Sequence, residues 1–478
     1  MKREKLQDAI GMIDDSFVRE AKNSNHNKKI TVIKWVSTVA AMLAIAITAN
    51  FIFQTPLSLP VNAYAISEAE YPERLQCPEM LELDWETYKE LFDAWNEEKR
   101  EIKDQYYGYG DDLDFFFSKS INEFLSGAGQ ENRVYSPINL YMALCMLAET
   151  ADGNSRSQIL ELLDVDSVET LRKQANAIWN ANYCNDGQVT SIFANSLWMN
   201  ENIEYKKNTI DNLAKNYFAS SFRGEMGSSN YNKAFQNWLN EQTGGLLENY
   251  VRGIEMPPET VLALASTIYF RAMWEDVFVE RNNVKDVFHS TNGDITCEYM
   301  KQDYSRQYYW GDKFSAVEQK LRGSGGMWFI LPDEDISVDD LLADSQTMEF
   351  ICNPYDWENH KLLRVHLSVP KFDVSSQIKL SDGLKNLGVT DVFDRSLADF
   401  SPLMENAEGI AVSDALHAAR VKIDEEGCVA AAYTVMFEAG GVMPPAEEVE
   451  FILDRPFIFV ITSDDGLPLF VGVVNNPS

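Results

Sequence analysis

The chain has 478 residues, of which 45% are apolar and 12% aromatic, enough for a large core, so global disorder is excluded. Its 74 acidic and 41 basic side chains leave a formal charge of −33, a surface that repels nucleic-acid phosphates and anionic headgroups. Cys77, Cys145, Cys184, Cys297, Cys352 and Cys428 form no C-x-x-C pair, and no histidine stands in H-E-x-x-H or beside G-x-S-x-G. Zinc, dithiol and local hydrolase signatures are therefore all missing.

Residues 1–29 form a polar leader ending in Asn27-Lys28-Lys29. Residues 30–53 read ITVIKWVSTVAAMLAIAITANFIF with no charge after Lys34, close to the ~20 apolar residues that carry a helix across a bilayer. The basic flank predicts a cytoplasmic leader, a membrane anchor over 30–53, and an extracytoplasmic main domain. A rival reading is secretion after cleavage behind Ala65, where Ala63-Tyr64-Ala65 has the small-x-small pattern of a signal-peptidase site. Residues 54–111 are acidic and aromatic and read as a linker with a helix, on which Leu91, Trp95 and Ile102 recur at helical spacing. Gly108 and Gly110 end it. From 112 to 478, helical stretches such as 232–251 give way to short strand-like runs at 324–334, 363–374, 449–453 and 457–462. That order predicts an α+β domain with large mixed sheets.

Within 112–478 several blocks follow one another at a characteristic spacing. They include RVYSPINLYMALCMLAETADGNSRSQILELL (133–163), NSLWMNENIEY (195–205), NWLNEQTGGLLENYV (237–251) and STIYFRAMWEDVF (266–278). LKNLGVTDVFDRSLADFSPL (384–403), ALHAARVKIDEEGCVAAAYTV (415–435) and DRPFIFVITSDDGLPLFVGVVNNP (454–477) complete the series. Together they resemble the serpins, here of a bacterial type with an N-terminal anchor. The resemblance implies a large mixed central β-sheet with two further sheets, about eight to nine helices and an exposed reactive-centre loop. It also implies a monomeric inhibitor of serine-type endopeptidases, with cysteine proteases a second possible target, that ends in a covalent complex with the protease. No cofactor, metal or catalytic residue of its own is implied. In such a molecule, cleavage of the loop lets its upstream part insert as a new strand of the central sheet. The family also offers an alternative: a non-inhibitory serpin that acts as a binding or scaffold protein.

Residues 425–436 read EEGCVAAAYTVM, and alternate residues of a strand share a face. Cys428, Ala430, Ala432 and Thr434 make a small face suited to insertion beneath a covering helix; Val429, Ala431, Tyr433 and Val435 make the other. By resemblance the hinge comprises Glu425, Glu426, Gly427, Cys428, Ala430, Ala431, Ala432 and Thr434. Cys428 stands where relatives carry threonine or serine. His417 aligns with the family's sheet-opening histidine, with Ser136 nearby and Asn139 and Ser266 as exchanged amide and hydroxyl partners of one network. Trp274 aligns with the tryptophan at the top of the sheet, where insertion starts. Placing Gly427 fifteenth before the cleaved bond makes Gly441–Val442 the reactive bond, flanked by Glu438, Ala439, Gly440 and Met443. Cleavage after Ala439, Gly440 or Met443 stays open. The loop holds no lysine or arginine, and its small apolar residues suit elastase-like or subtilisin-like enzymes.

Overall fold

The computed structural model describes residues 60–79, 83–110, 113–412, 415–428 and 447–477. In chain order the strands are β1 (Ala65–Ser67), β2 (Arg133–Tyr135), β3 (Cys184–Asn185), β4 (Thr190–Asn200), β5 (Ala219–Gly224) and β6 (Leu262–Met273). They continue with β7 (Val284–Ser290), β8 (Gly293–Trp310), β9 (Phe314–Lys320), β10 (Gly326–Pro332), β11 (His360–Pro370) and β12 (Phe372–Lys379). The last are β13 (Leu416–Ile423), β14 (Gly427–Cys428), β15 (Glu448–Ile452), β16 (Phe457–Thr462) and β17 (Pro468–Val474).

They form two mixed sheets in an α+β fold. The first runs β1-β5-β4-β6-β14-β13-β12, with β3 on β4; the second runs β15-β11-β8-β9-β10-β16-β17-β2, with β7 on β8. The long strand β8 pairs with β7 and β11 along most of its length and with β9 at its end, so two of the three expected sheets share one continuous ladder. Eleven α-helices lie among the described residues. Short ones such as Glu248–Val251 and Val338–Leu342 span too little chain to show a helical period.

Two helices sandwich the first sheet. Pro137–Thr150 starts at Ser136, whose side chain caps the helix, and has proline in its first turn. It is apolar nearly all round, as a helix enclosed by a core must be, and shares the main core with β6 and β13. Ser229–Gln242 covers the opposite face, where Phe235 and Trp238 pack on Trp198 and Ala265.

The segment read as a linker packs against the body. β1 adds to the edge of β5, Tyr64 packs on Tyr231, and Tyr71 on Trp179. In the helix Trp85–Gln105, Trp95 is buried and its Nε1 donates to Asp186 Oδ2 at 3.0 Å. The expected membrane-anchored or secreted placement is corrected accordingly. No helix among the described residues is long and apolar enough to cross a membrane, and 1–29 and 30–53 lie outside those residues. Ala65, the cleavage point of the rival reading, is the first residue of a sheet strand rather than part of an open spacer.

The six cysteines are unpaired, and burial pushes every one of their thiols up.

Candidate functional site

The site is a slot in the first sheet between β6 and β13. Both strands run antiparallel to β14, the two-residue stub between their upper ends: Cys428 pairs with Ala272 on one side and Ile423 on the other. Among the described residues no ladder joins β6 to β13 directly. Gly427 fits because a Cβ there would stand 2.3 Å from the Ala272 carbonyl oxygen. Only a residue without a side chain lets the backbones approach this closely.

The turn into the stub is tied down at several points. Asp424 Oδ1 accepts from Glu426 N at 3.0 Å and Gly427 N at 3.3 Å. Trp274 is wholly buried; its backbone N donates to Glu426 O at 2.9 Å and its Nε1 to Asp424 O at 2.8 Å. Phe278 N donates to Glu425 O at 2.9 Å. The Glu425 carboxylate meets Lys371 Nζ at 2.6 Å and Asn283 Nδ2, while Lys371 also reaches Glu298 at 3.0 Å. Burial raises the Glu425 carboxyl, but hydrogen bonds led by the one from Lys371 outweigh it and hold it below the usual carboxylate range. Asp424, Lys371, Asn283 and Glu298 escaped sequence reasoning. Lys371 lies in the strand-like run 363–374, but its partner is 54 positions away (425 − 371) and no local pattern connects them.

Cys428 faces the main core with Ala272, Phe270, Val421 and Ile423. Cys428 is therefore turned away from the helix Ser229–Gln242, which packs on the other side of the sheet. Burial pushes the Cys428 thiol up to about 12, so it is a neutral packing group.

Lower in the slot, Ser136 N donates to His417 Nε2 at 3.1 Å, and Asn139 N donates to Ser136 Oγ at 3.3 Å. Acting as an acceptor, His417 is neutral, and burial lowers its pKa to about 4. Asn139 Oδ1 and Ser266 Oγ are each buried without a hydrogen-bond partner among the described residues. The structure thus joins His417 to Ser136 and leaves the other two polar groups waiting. Ser266 lies six positions down β6 from Ala272 (272 − 266), and His417 six down β13 from Ile423 (423 − 417), so they flank the slot at one level. Ala430, Ala431, Ala432, Thr434, Glu438, Ala439, Gly440, Gly441, Val442 and Met443 lie outside the described residues.

The serpin (serine protease inhibitor) family model matches residues 114–477. The chain belongs to the serpin family. Serpin-ZX of Arabidopsis thaliana is 27% identical over 369 residues, covering 72% of this chain and 92% of the relative. Leukocyte elastase inhibitor A of Mus musculus is 27% identical over 357 residues, covering 72% and 93%. Among solved structures, the thermophilic serpin tengpin in its native state superposes with a TM-score of 0.69 at 25% identity, covering 86% of this chain and all of that one. These matches support the family and not a bacterial type or an anchor. Serpins are in general inhibitors of serine proteases rather than enzymes.

Proposed function

We propose that this serpin inhibits an elastase-like or subtilisin-like serine protease as a suicide substrate, with residues 112–478 as the active unit and Gly441–Val442 as the bond offered. The protease hydroxyl attacks the Gly441 carbonyl carbon, and the peptide bond breaks. The hydroxyl proton passes to the departing Val442 amine, leaving an ester between protease and Gly441. The hinge then lengthens β14 down the slot and carries the ester away. Displacing the protease's catalytic donors by even ~1 Å slows hydrolysis by orders of magnitude. The inhibitor needs no cofactor, works as a monomer, and contributes a metastable fold held by a kinetic barrier.

The observation that carries this reading is β14, a strand already begun between β6 and β13 by the hinge residues Gly427 and Cys428. A strand continuing its register brings Thr434 level with Ser266 and His417 and on the same face, six positions below Cys428 (434 − 428). A hydroxyl arriving there supplies a partner for the orphaned Ser266 Oγ, so insertion relieves a penalty of roughly 1–3 kcal/mol.

The test is a denaturing gel of the full chain after incubation with an elastase and a subtilisin, with mass spectrometry of the released C-terminal peptide. A covalent band at the summed mass and a peptide starting at Val442 are the expected result. Clean loop cleavage without that band overturns inhibition and leaves the binding or scaffold role.

A further inference from the structure

The helix Trp85–Gln105 does not lie flush on the body. Between it, the start of β4 and the turn at Ser463 lies a cavity of about 120 Å³. Its wall from Arg74 to Tyr107 lies ahead of residue 114, where the family match begins, so the cavity is not a feature of the family domain alone.

Two polar atoms in that lining have no partner among the described residues. Ser191, on β4, is only 4% exposed and its Oγ is buried and unbonded. Arg74 spends one terminal nitrogen on Asn180 O at 3.4 Å and lays its guanidinium over the Tyr183 ring, but its Nε is buried and unbonded. Buried polar groups are nearly always paired, and an orphan costs about 1–3 kcal/mol. Finding a hydroxyl and a guanidinium N–H both unpaired around one cavity calls for an oxygen atom there. The rest of the wall supplies apolar surface from Trp95, Ile102, Tyr106 and Leu469.

Charge and size narrow the choice. The buried carboxylate in the wall, Asp186, is already satisfied by Trp95 Nε1 and by the backbone N–H groups of Gln188 and Val189. Lys99 donates to Gly323 O. With Glu98, Asp464 and Asp465 also in the wall against Arg74 and Lys103, four carboxylates face three cations, so the cavity has no excess positive charge to hold an anion. An enclosed dry cavity of about 150 Å³ takes up benzene; this one, about 120 Å³ and open to solvent on one side, seats a single ring part of which stands in the opening.

We propose that this cavity binds a small uncharged aromatic compound bearing a hydrogen-bonding oxygen, of the size of benzamide. The ring packs against Trp95 and Leu469, and the oxygen accepts from Arg74 Nε and Ser191 Oγ.

Saturation-transfer NMR on the full chain with benzamide, and with benzoate as the charged comparator, tests this. Saturable benzamide binding is expected, weakened about fivefold in Ser191→Ala. It is expected to vanish in Ile102→Trp, which fills the cavity from the helix side. Circular dichroism checks that each variant folds; should Ser191→Ala fail to fold, Ile102→Trp decides alone. Three results would each overturn the proposal: no saturable benzamide signal, which means that water alone occupies the cavity; undiminished binding in Ile102→Trp; or benzoate bound as tightly as benzamide.

Discussion

In the second sheet, β10, β16 and β17 are buried at every residue, and each pairs with a strand on both sides. In the first, β6 and β13 alternate buried with more exposed residues, and among the described residues they are joined only through the two residues of β14. Both sheets hold buried polar atoms without a partner among the described residues, Trp328 Nε1 on β10 in the second and Ser266 Oγ in the first, but Ser266 lies on a strand that borders the slot. One sheet is packed as a finished core. The other is interrupted below β14, where no ladder joins β6 to β13 among the described residues, and the proposed insertion would fill that interruption.

The contrast predicts that damage to the two sheets separates stability from inhibition. Thr434→Arg puts an unpaired guanidinium on the face that inserts toward the core, where burying it costs several kcal/mol. Covalent complex should fall by at least about a hundredfold while loop cleavage continues; gel densitometry reads both products. If the complex persists, Thr434 does not enter the slot.

Phe459→Ala strikes the other sheet. Phe459 is wholly buried and stacks on Phe372 at 5.2 Å between centroids, so its loss should lower unfolding free energy by about 3–5 kcal/mol. The surviving folded fraction should still partition normally between complex and cleaved product. A shifted partition would mean that the two sheets do not act independently.

A third effect concerns acid. Burial holds His417 neutral with a pKa of about 4, against about 6.5 in the unfolded chain. Above pH 6.5 both states are neutral and the residue contributes no pH dependence. Between 6.5 and 4 only the unfolded chain takes up the proton, so stability falls as pH drops, by about 3 kcal/mol in all, and the loss levels off below 4. Denaturant titrations from pH 7 to 4 should show this decline in the parent and a flatter one in His417→Gln. Parallel curves would place the acid sensitivity elsewhere.

Much of the slot could be read from the chain. The glycine before Cys428 and the blocks around Ser136, Trp274 and His417 are local patterns, and the structure places these residues along β14 and the strands beside it. Register is not local. That Ser266 and His417 share a level depends on two ladders meeting at β14, and the Glu425–Lys371 pair depends on strands far apart in sequence. The docking of residues 60–110 escaped for a related reason: an acidic helix with few apolar positions looks solvated until Asp186 is placed beside Trp95. The direction faced by Cys428 could not be told either, since alternation divides two faces without saying which one meets the core.

The buried cysteines bear on how this protein can be handled. Cys145, Cys352 and Cys428 are buried with their thiols pushed up, and none of the six cysteines forms a disulfide, so no cross-link holds the described fold together. With the partly exposed Cys77, Cys184 and Cys297 replaced by serine, a single cysteine engineered at an exposed surface position would outreact the three buried ones. A dye attached there could report the entry of the hinge in real time, in reducing and oxidising buffers alike.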